Sequence, residues 1–155
     1  MQPAGSLSGL LDGGLLDENA PASDSLDFGA FGSAVAVDLE TAQAGSVNAY
    51  SRIDRIVGSS GAGDTLSGPG EAGDEIAWSI TGANAGTVRN IEFSGFENLT
   101  GRDDTSDAFA FDASGSLSGT LDGGTGAGTA DGLSVFDGTT TNVVLPPSPG
   151  AHVAS

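Results

Sequence analysis

The chain has 155 residues, enough for one domain, and sets 21 acidic residues against four arginines, for a formal charge of −17. Such a field repels nucleic acid and anionic lipid; it favours divalent cations, basic partners or salty water. There is no cysteine, no apolar run of membrane-spanning length, and no basic-flanked apolar leader at Met1-Gln2-Pro3-Ala4-Gly5, so disulfides and membrane insertion are not expected.

Apolar residues alternate with polar ones over three to five positions, which predicts short half-buried strands. In chain order they fall at Leu7 to Leu11, Leu26 to Phe28, Val35-Val37-Leu39, Ile53 to Val57 and Ile76-Trp78-Ile80. They continue at Val88 to Phe93, Phe96 to Leu99, Phe109-Phe111, Leu117 to Leu121, Leu133-Val135 and Val143 to Leu145. Gly, Asp, Ser and Asn fill the intervals and supply positive φ or local side-chain-to-backbone hydrogen bonds. Gly and β-branched residues weaken the best helical window, Ala42 to Arg55, so no helix is expected. Pro146-Pro147-Ser148-Pro149-Gly150 cannot continue a sheet, because proline lacks the ladder donor. Residues 146–155 therefore read as an irregular tail.

Gly5-Ser6-Leu7-Ser8-Gly9-Leu10-Leu11-Asp12-Gly13-Gly14 returns as Gly115-Ser116-Leu117-Ser118-Gly119-Thr120-Leu121-Asp122-Gly123-Gly124, identical at nine of ten positions and offset by 110. The stretches after the two copies are also alike. Ser23-Asp24-Ser25-Leu26-Asp27-Phe28 leads to Val37-Asp38-Leu39, and Ala130-Asp131-Gly132-Leu133-Ser134-Val135 leads to Val143-Val144-Leu145. The chain reads as one long repeat unit plus the opening of the next. An array of short Gly/Asp-punctuated strands predicts an all-β fold, a parallel β-solenoid (β-helix or β-roll-like) over residues 1–145, with a β-sandwich as the alternative. Leu11 and Leu121 should both face inward from strands running the same way.

Gly58-Ser59-Ser60-Gly61-Ala62-Gly63-Asp64-Thr65-Leu66 resembles the Gly/Asp nonapeptide of RTX (repeats-in-toxin) proteins, in which turn carbonyls and an Asp carboxylate form an oxygen cage for calcium. The glycine before Asp64 is displaced by one residue. Asp122-Gly123-Gly124-Thr125-Gly126 opens the same motif, yet Asp131 comes too late. No two intact nonapeptides stand in tandem. Asp64, Asp122 and Asp131 are nevertheless the candidate calcium ligands, with metal-free structural turns as the competing reading.

Trp78-Ser79-Ile80-Thr81-Gly82-Ala83-Asn84-Ala85-Gly86-Thr87-Val88, followed by Ile91-Glu92-Phe93-Ser94-Gly95-Phe96-Glu97-Asn98-Leu99-Thr100-Gly101, resembles the repeats of giant bacterial surface and secreted proteins. Such proteins are described as adhesin-like, filamentous-haemagglutinin-like or RTX-related. The resemblance covers most of residues 5–145. It implies an extracellular or cell-surface structural role and carries over no catalytic residue; an export signal is expected outside this chain.

Catalysis finds little footing. With no cysteine and one histidine, His152 in the tail, triads and zinc sites lack their parts. No phosphate-loop sequence occurs. Paired carboxylates remain, but 15 aspartates make chance pairs inevitable. Trp78 alternates with Ile76 and Ile80 and should be core; Tyr50 is the other aromatic that could stack on a sugar. Asn98-Leu99-Thr100 reads as strand and turn more than as a glycosylation acceptor. The expectation is therefore a non-enzymatic repeat that forms or spaces a fibre by head-to-tail association, with a cell-surface or glycan partner. The alternative is a calcium-dependent adhesive module of a larger secreted protein.

Overall fold

The computed structural model describes residues 7–14, 24–126, 130–136, 140–144 and 152–154. Every regular element among them is a β-strand: β1 Leu7–Asp12, β2 Ser25–Asp27, β3 Ala36–Asp38, β4 Gln43–Ala44, β5 Val47–Ser51, β6 Arg55–Val57, β7 Thr65–Ser67 and β8 Glu75–Gly82. The second half adds β9 Ala85–Val88, β10 Ile91–Ser94, β11 Asn98–Thr100, β12 Ser106–Phe111, β13 Thr120–Asp122, β14 Gly132–Phe136, β15 Thr140–Val144 and β16 His152–Ala154. The weak helical window at 42–55 is thus a pair of strands. The run from Val88 to Phe93 is broken by a turn at Arg89 (φ 50°) into β9 and β10.

Among the described residues, sixteen strands form two eight-stranded sheets. Across the first sheet the order is β1-β5-β4-β3-β7-β11-β13-β16, and across the second it is β2-β6-β10-β9-β8-β12-β14-β15. The chain alternates between them. It leaves the first sheet after β1, β5, β7, β11 and β13, and enters the second at β2, β6, β8, β12 and β14. Two antiparallel meanders interrupt this alternation: β3-β4-β5 in the first sheet and β8-β9-β10 in the second. The sheets are therefore mixed. Besides β4 and β9 inside the meanders, only β15 and β16 among the described strands run against their neighbours. Of the tail read as irregular, residues 152–154 form β16 against β13; 146–151 and 155 lie outside the described residues.

Alternation sets the facing. In β8 Ile76, Trp78 and Ile80 are buried while Glu75, Ala77 and Ser79 are exposed. In the first sheet, register places Ala44, Val37, Leu66, Leu99 and Leu121 in one inward row. The second sheet answers with Leu26, Ile56 and Phe93 in one row, and with Trp78 beside Phe109 in another. The Trp78 ring stacks on Phe109 with centroids 5.3 Å apart and meets Phe93 edge-on at 6.1 Å. These side chains form one core. Each fully buried one contributes roughly 1.5–3 kcal/mol. Leu121 belongs to that core and Leu11 packs against it, so both leucines face inward as expected.

Pairing continues past the strand ends. Leu39 donates its backbone N–H to Ser67 O (3.1 Å), Gly68 to Thr100 O (2.8 Å) and Gly101 to Asp122 O (2.7 Å). These corners need glycine where the chain crowds its neighbour. A Cβ on Gly101 would lie 2.6 Å from the Asp107 carboxylate and from Gly123 O.

Candidate functional site

The two copies of the repeated phrase close in the same turn, although the first is strand from Leu7 to Asp12 and the second only from Thr120 to Asp122. In each, the Asp carboxylate accepts the backbone N–H two residues on: Gly14 N to Asp12 Oδ1 and Gly124 N to Asp122 Oδ1, both 3.0 Å. Gly14 and Gly124 have φ of 96° and 87°, a left-handed setting that glycine enters without a Cβ clash. The preceding glycine in each copy touches the Asp that opens the next strand: Gly13 lies against Asp24, and Gly123 against Asp131. β1 is the first strand of the first sheet and β13 the seventh; β2 and β14 hold the same places in the second sheet. β1 and β13 thus occupy corresponding positions six strands apart.

Asp24 and Asp131 each also meet one other aspartate across the sheet. Asp24 donates its N–H to Asp54 Oδ2 (3.0 Å), and Asp107 donates its N–H to Asp131 Oδ1 (3.0 Å). In each case one strand's amide meets the carboxylate at the start of the next strand across the sheet.

Two aspartates among the described residues are wholly buried, and both act as internal acceptors. Asp64 takes Val35 N (2.6 Å), Ser59 N (2.6 Å) and Ser59 Oγ (2.8 Å), closing the Gly-rich corner before β7. Asp107 takes Trp78 Nε1 (2.7 Å), Thr105 Oγ1 (2.6 Å) and Arg102 N (3.2 Å). Burial pushes the Asp107 carboxyl above the ordinary carboxylate range; the hydroxyl of Thr105 and the indole of Trp78 oppose that shift, and the nearby Asp131 charge adds to it. Trp78, read as core, is core, and its one polar side-chain atom is spent on Asp107. Tyr50 is buried as well; loss of solvent, then the Asp38 charge, holds its hydroxyl well above the usual value.

The three candidate calcium ligands do not converge. Asp64 precedes its strand in the first sheet, whereas Asp122 ends its own, so the two stand at opposite strand ends. Asp122 and Asp131 share a corner, each already accepting a backbone N–H. Among the described residues no group of three or more His, Cys, Asp or Glu side chains is placed to hold a metal ion.

A groove of about 620 Å³ runs along the corners after β3, β7 and β11, lined by Asp38, Glu40, Glu71, Asp103, Asp104 and the single cation Arg102, among others. Three of its carboxylates already accept hydrogen bonds, one within its own turn and two between corners. Asp38 Oδ1 accepts Glu40 N and Thr41 N, Glu40 Oε2 accepts Gly70 N, and Asp103 Oδ1 accepts Thr125 N and Oγ1. The Thr125 hydroxyl and amide hold the Asp103 carboxyl below the ordinary range. Asn98 likewise serves the fold: Oδ1 accepts Thr120 N and Oγ1, and Nδ2 donates to Asp64 O.

The sheet ends differ from this satisfied interior. Among the described strands, β1 and β2 lie at one end of the sheets and β16 and β15 at the other. Leu7 and Leu10 of β1 are 40 % and 61 % exposed, and Val135 and Phe136 of β14 are 44 % and 61 % exposed. Sequence reasoning singled out the repeated phrase at both ends. It missed Asp107, whose indole partner Trp78 lies 29 residues away, and the groove, which is assembled from separate corners. The side chain of His152, on β16, lies outside the described residues. No helix among the described residues is long and apolar enough to cross a membrane. Comparison with protein-family models, curated proteins and solved structures gives no match.

Proposed function

We propose that the chain is a non-catalytic structural repeat, a two-walled β-solenoid whose end-to-end stacking builds or spaces an extracellular fibre. The observation that carries this reading is the equivalence of β1 and β13, same turn and same facing, at the first and seventh positions of one sheet. A fold whose end repeats its beginning can grow along its axis without enlarging its core. The resemblance of residues 5–145 to giant secreted and surface repeat proteins of bacteria agrees with it. The buried aspartates Asp64 and Asp107 are spent on backbone and side-chain donors and so serve the fold.

Open edges supply the contact, since a strand edge presents a row of backbone donors and acceptors. A head-to-tail contact that does not close into a ring makes a filament. The charge of −17 limits side-by-side clumping, and salt relaxes that limit. Light scattering and electron microscopy over a concentration and salt series test the reading. Elongated particles one molecule wide, lengthening with concentration, are expected. A monodisperse monomer at high concentration in every salt would defeat it.

A further inference from the structure

The equivalence of β1 with β13, and of β2 with β14, makes their next neighbours directly comparable. Beside β1 lies β5, parallel, and beside β2 lies β6, parallel. Beside β13 lies β16, and beside β14 lies β15, and both are antiparallel. The same two positions are thus filled with opposite sense at the two ends of the molecule.

The contact made by β5 and β6 extends through the corners. Gly13 N donates to Ser51 O, Asp54 N and Arg55 N both donate to Asp24 O, Asp24 N donates to Asp54 Oδ2, and Phe28 N donates to Val57 O. The groups that β1 and β2 bring to this contact recur on the second copy as Gly123, Asp131 and Val135. Leu11 and Asp12, opposite Tyr50 and Ser51, recur as Leu121 and Asp122.

From this, and resting on the end-to-end reading above, we infer that the edges of β13 and β14 are the docking site for a second copy of this unit. The second copy's β5 and β6 pair there as they pair with β1 and β2 inside one chain. β16 and β15 are displaced from the receiving copy, and β1 and β2 from the incoming one. The two parallel pairings formed between copies reproduce the two that β1 and β2 give up within one copy, and the antiparallel pairings of β15 and β16 are released as well. Its geometric signature is the axial period. Exchange advances six strand positions per copy, about 29 Å at roughly 4.8 Å per strand. Stacking of intact copies would advance all eight, about 38 Å.

The test pairs imaging with a lock. Thr120 and Ala154 are opposite in the β13–β16 register, and the chain has no other cysteine, so Thr120→Cys with Ala154→Cys oxidises to one bridge that holds β16 in place. Circular dichroism with and without reductant checks that the variant folds. Wild-type filaments with an axial repeat of about 29 Å, absent for the oxidised lock and restored by reductant, are expected. Filaments that repeat at about 38 Å, or that form equally well from the oxidised lock, overturn the exchange and leave end-to-end stacking standing. Absence of filaments from wild-type protein at every concentration and salt overturns both.

Discussion

The N-terminal corner of β1 and β2 and its counterpart at β13 and β14 place the same ten-residue phrase, identical at nine positions, in two surroundings. Among the described strands the first is an edge; the second is covered on both sides, by β11 and β12 on one and by β16 and β15 on the other. The local turn is indifferent to this. Asp12 and Asp122 accept the same amide at the same distance, because the bond spans two residues and needs no neighbour. What changes is burial. Leu121 is 8 % exposed, whereas Leu11 is only partly buried at the rim. At the one position that differs, the surroundings account for the residue. Thr120 places its hydroxyl on Asn98, while Leu10 stands opposite Ala49, whose methyl offers no hydrogen bond.

The largest break in the correspondence should come from deleting the two leucines. Leu121→Ala should cost about 3 kcal/mol, as for a large core residue, and Leu11→Ala no more than about 1.5 kcal/mol, because the edge can relax. Urea unfolding of both variants checks this, and equal losses would show that β1 is as firmly held as β13.

The corner glycines come next. A Cβ at Gly123 would strike the Asp131 carboxylate, and one at Gly13 would strike Arg52 O and Asp24. Gly123→Ala should therefore lower global stability by about 2 kcal/mol. Gly13→Ala should instead free β1 and β2 while the rest stays folded. Amide exchange reads the difference as lost protection confined to residues 7–12 and 25–27.

The pH response should also separate the two regions. Burial raises the Asp107 carboxyl, so the folded state holds that proton to higher pH than the unfolded chain does. Its contribution is therefore most favourable in acid and declines as pH rises through the raised value. Asp12 is shifted the other way, chiefly by the Gly14 amide. What it contributes is present above the ordinary carboxylate value and fades as pH falls through its lowered one. The melting temperature should thus rise as pH drops from neutral and fall again in stronger acid. Asp107→Asn should flatten the first limb and leave the second; an unchanged first limb would assign it to relief of the overall negative charge.

The smallest effect belongs to the differing position. Thr120→Leu should cost roughly 1 kcal/mol through the lost bond to Asn98, and Leu10→Thr should change stability by less than about 0.5 kcal/mol. Thermal melts of the exchanged pair decide it. A larger cost at Leu10 would mean that its exposed side chain is covered by another molecule.

Much of this was legible in the residues. The alternation of Ile76, Trp78 and Ile80 predicts their facing, and the glycines and aspartates mark the corners. Asp64 shows where legibility fails. A Gly-rich turn ending in Asp suits a calcium cage and suits equally a carboxylate capping its own corner; what fills it is Val35 N, 29 residues away.

The sequence by itself determined the all-β character, the inward and outward faces, the turn chemistry and the correspondence of the two ends. Each depends on steric and hydrogen-bonding preferences acting over a few residues, or on comparing one stretch with another. Only the tertiary structure decided which strands pair and in which sense, where the two meanders fold back, and that Trp78 and Asp107 satisfy each other across 29 residues. Those outcomes rest on register between distant segments. Many pairings bury a three-residue strand almost equally well, and only the packed whole selects among them.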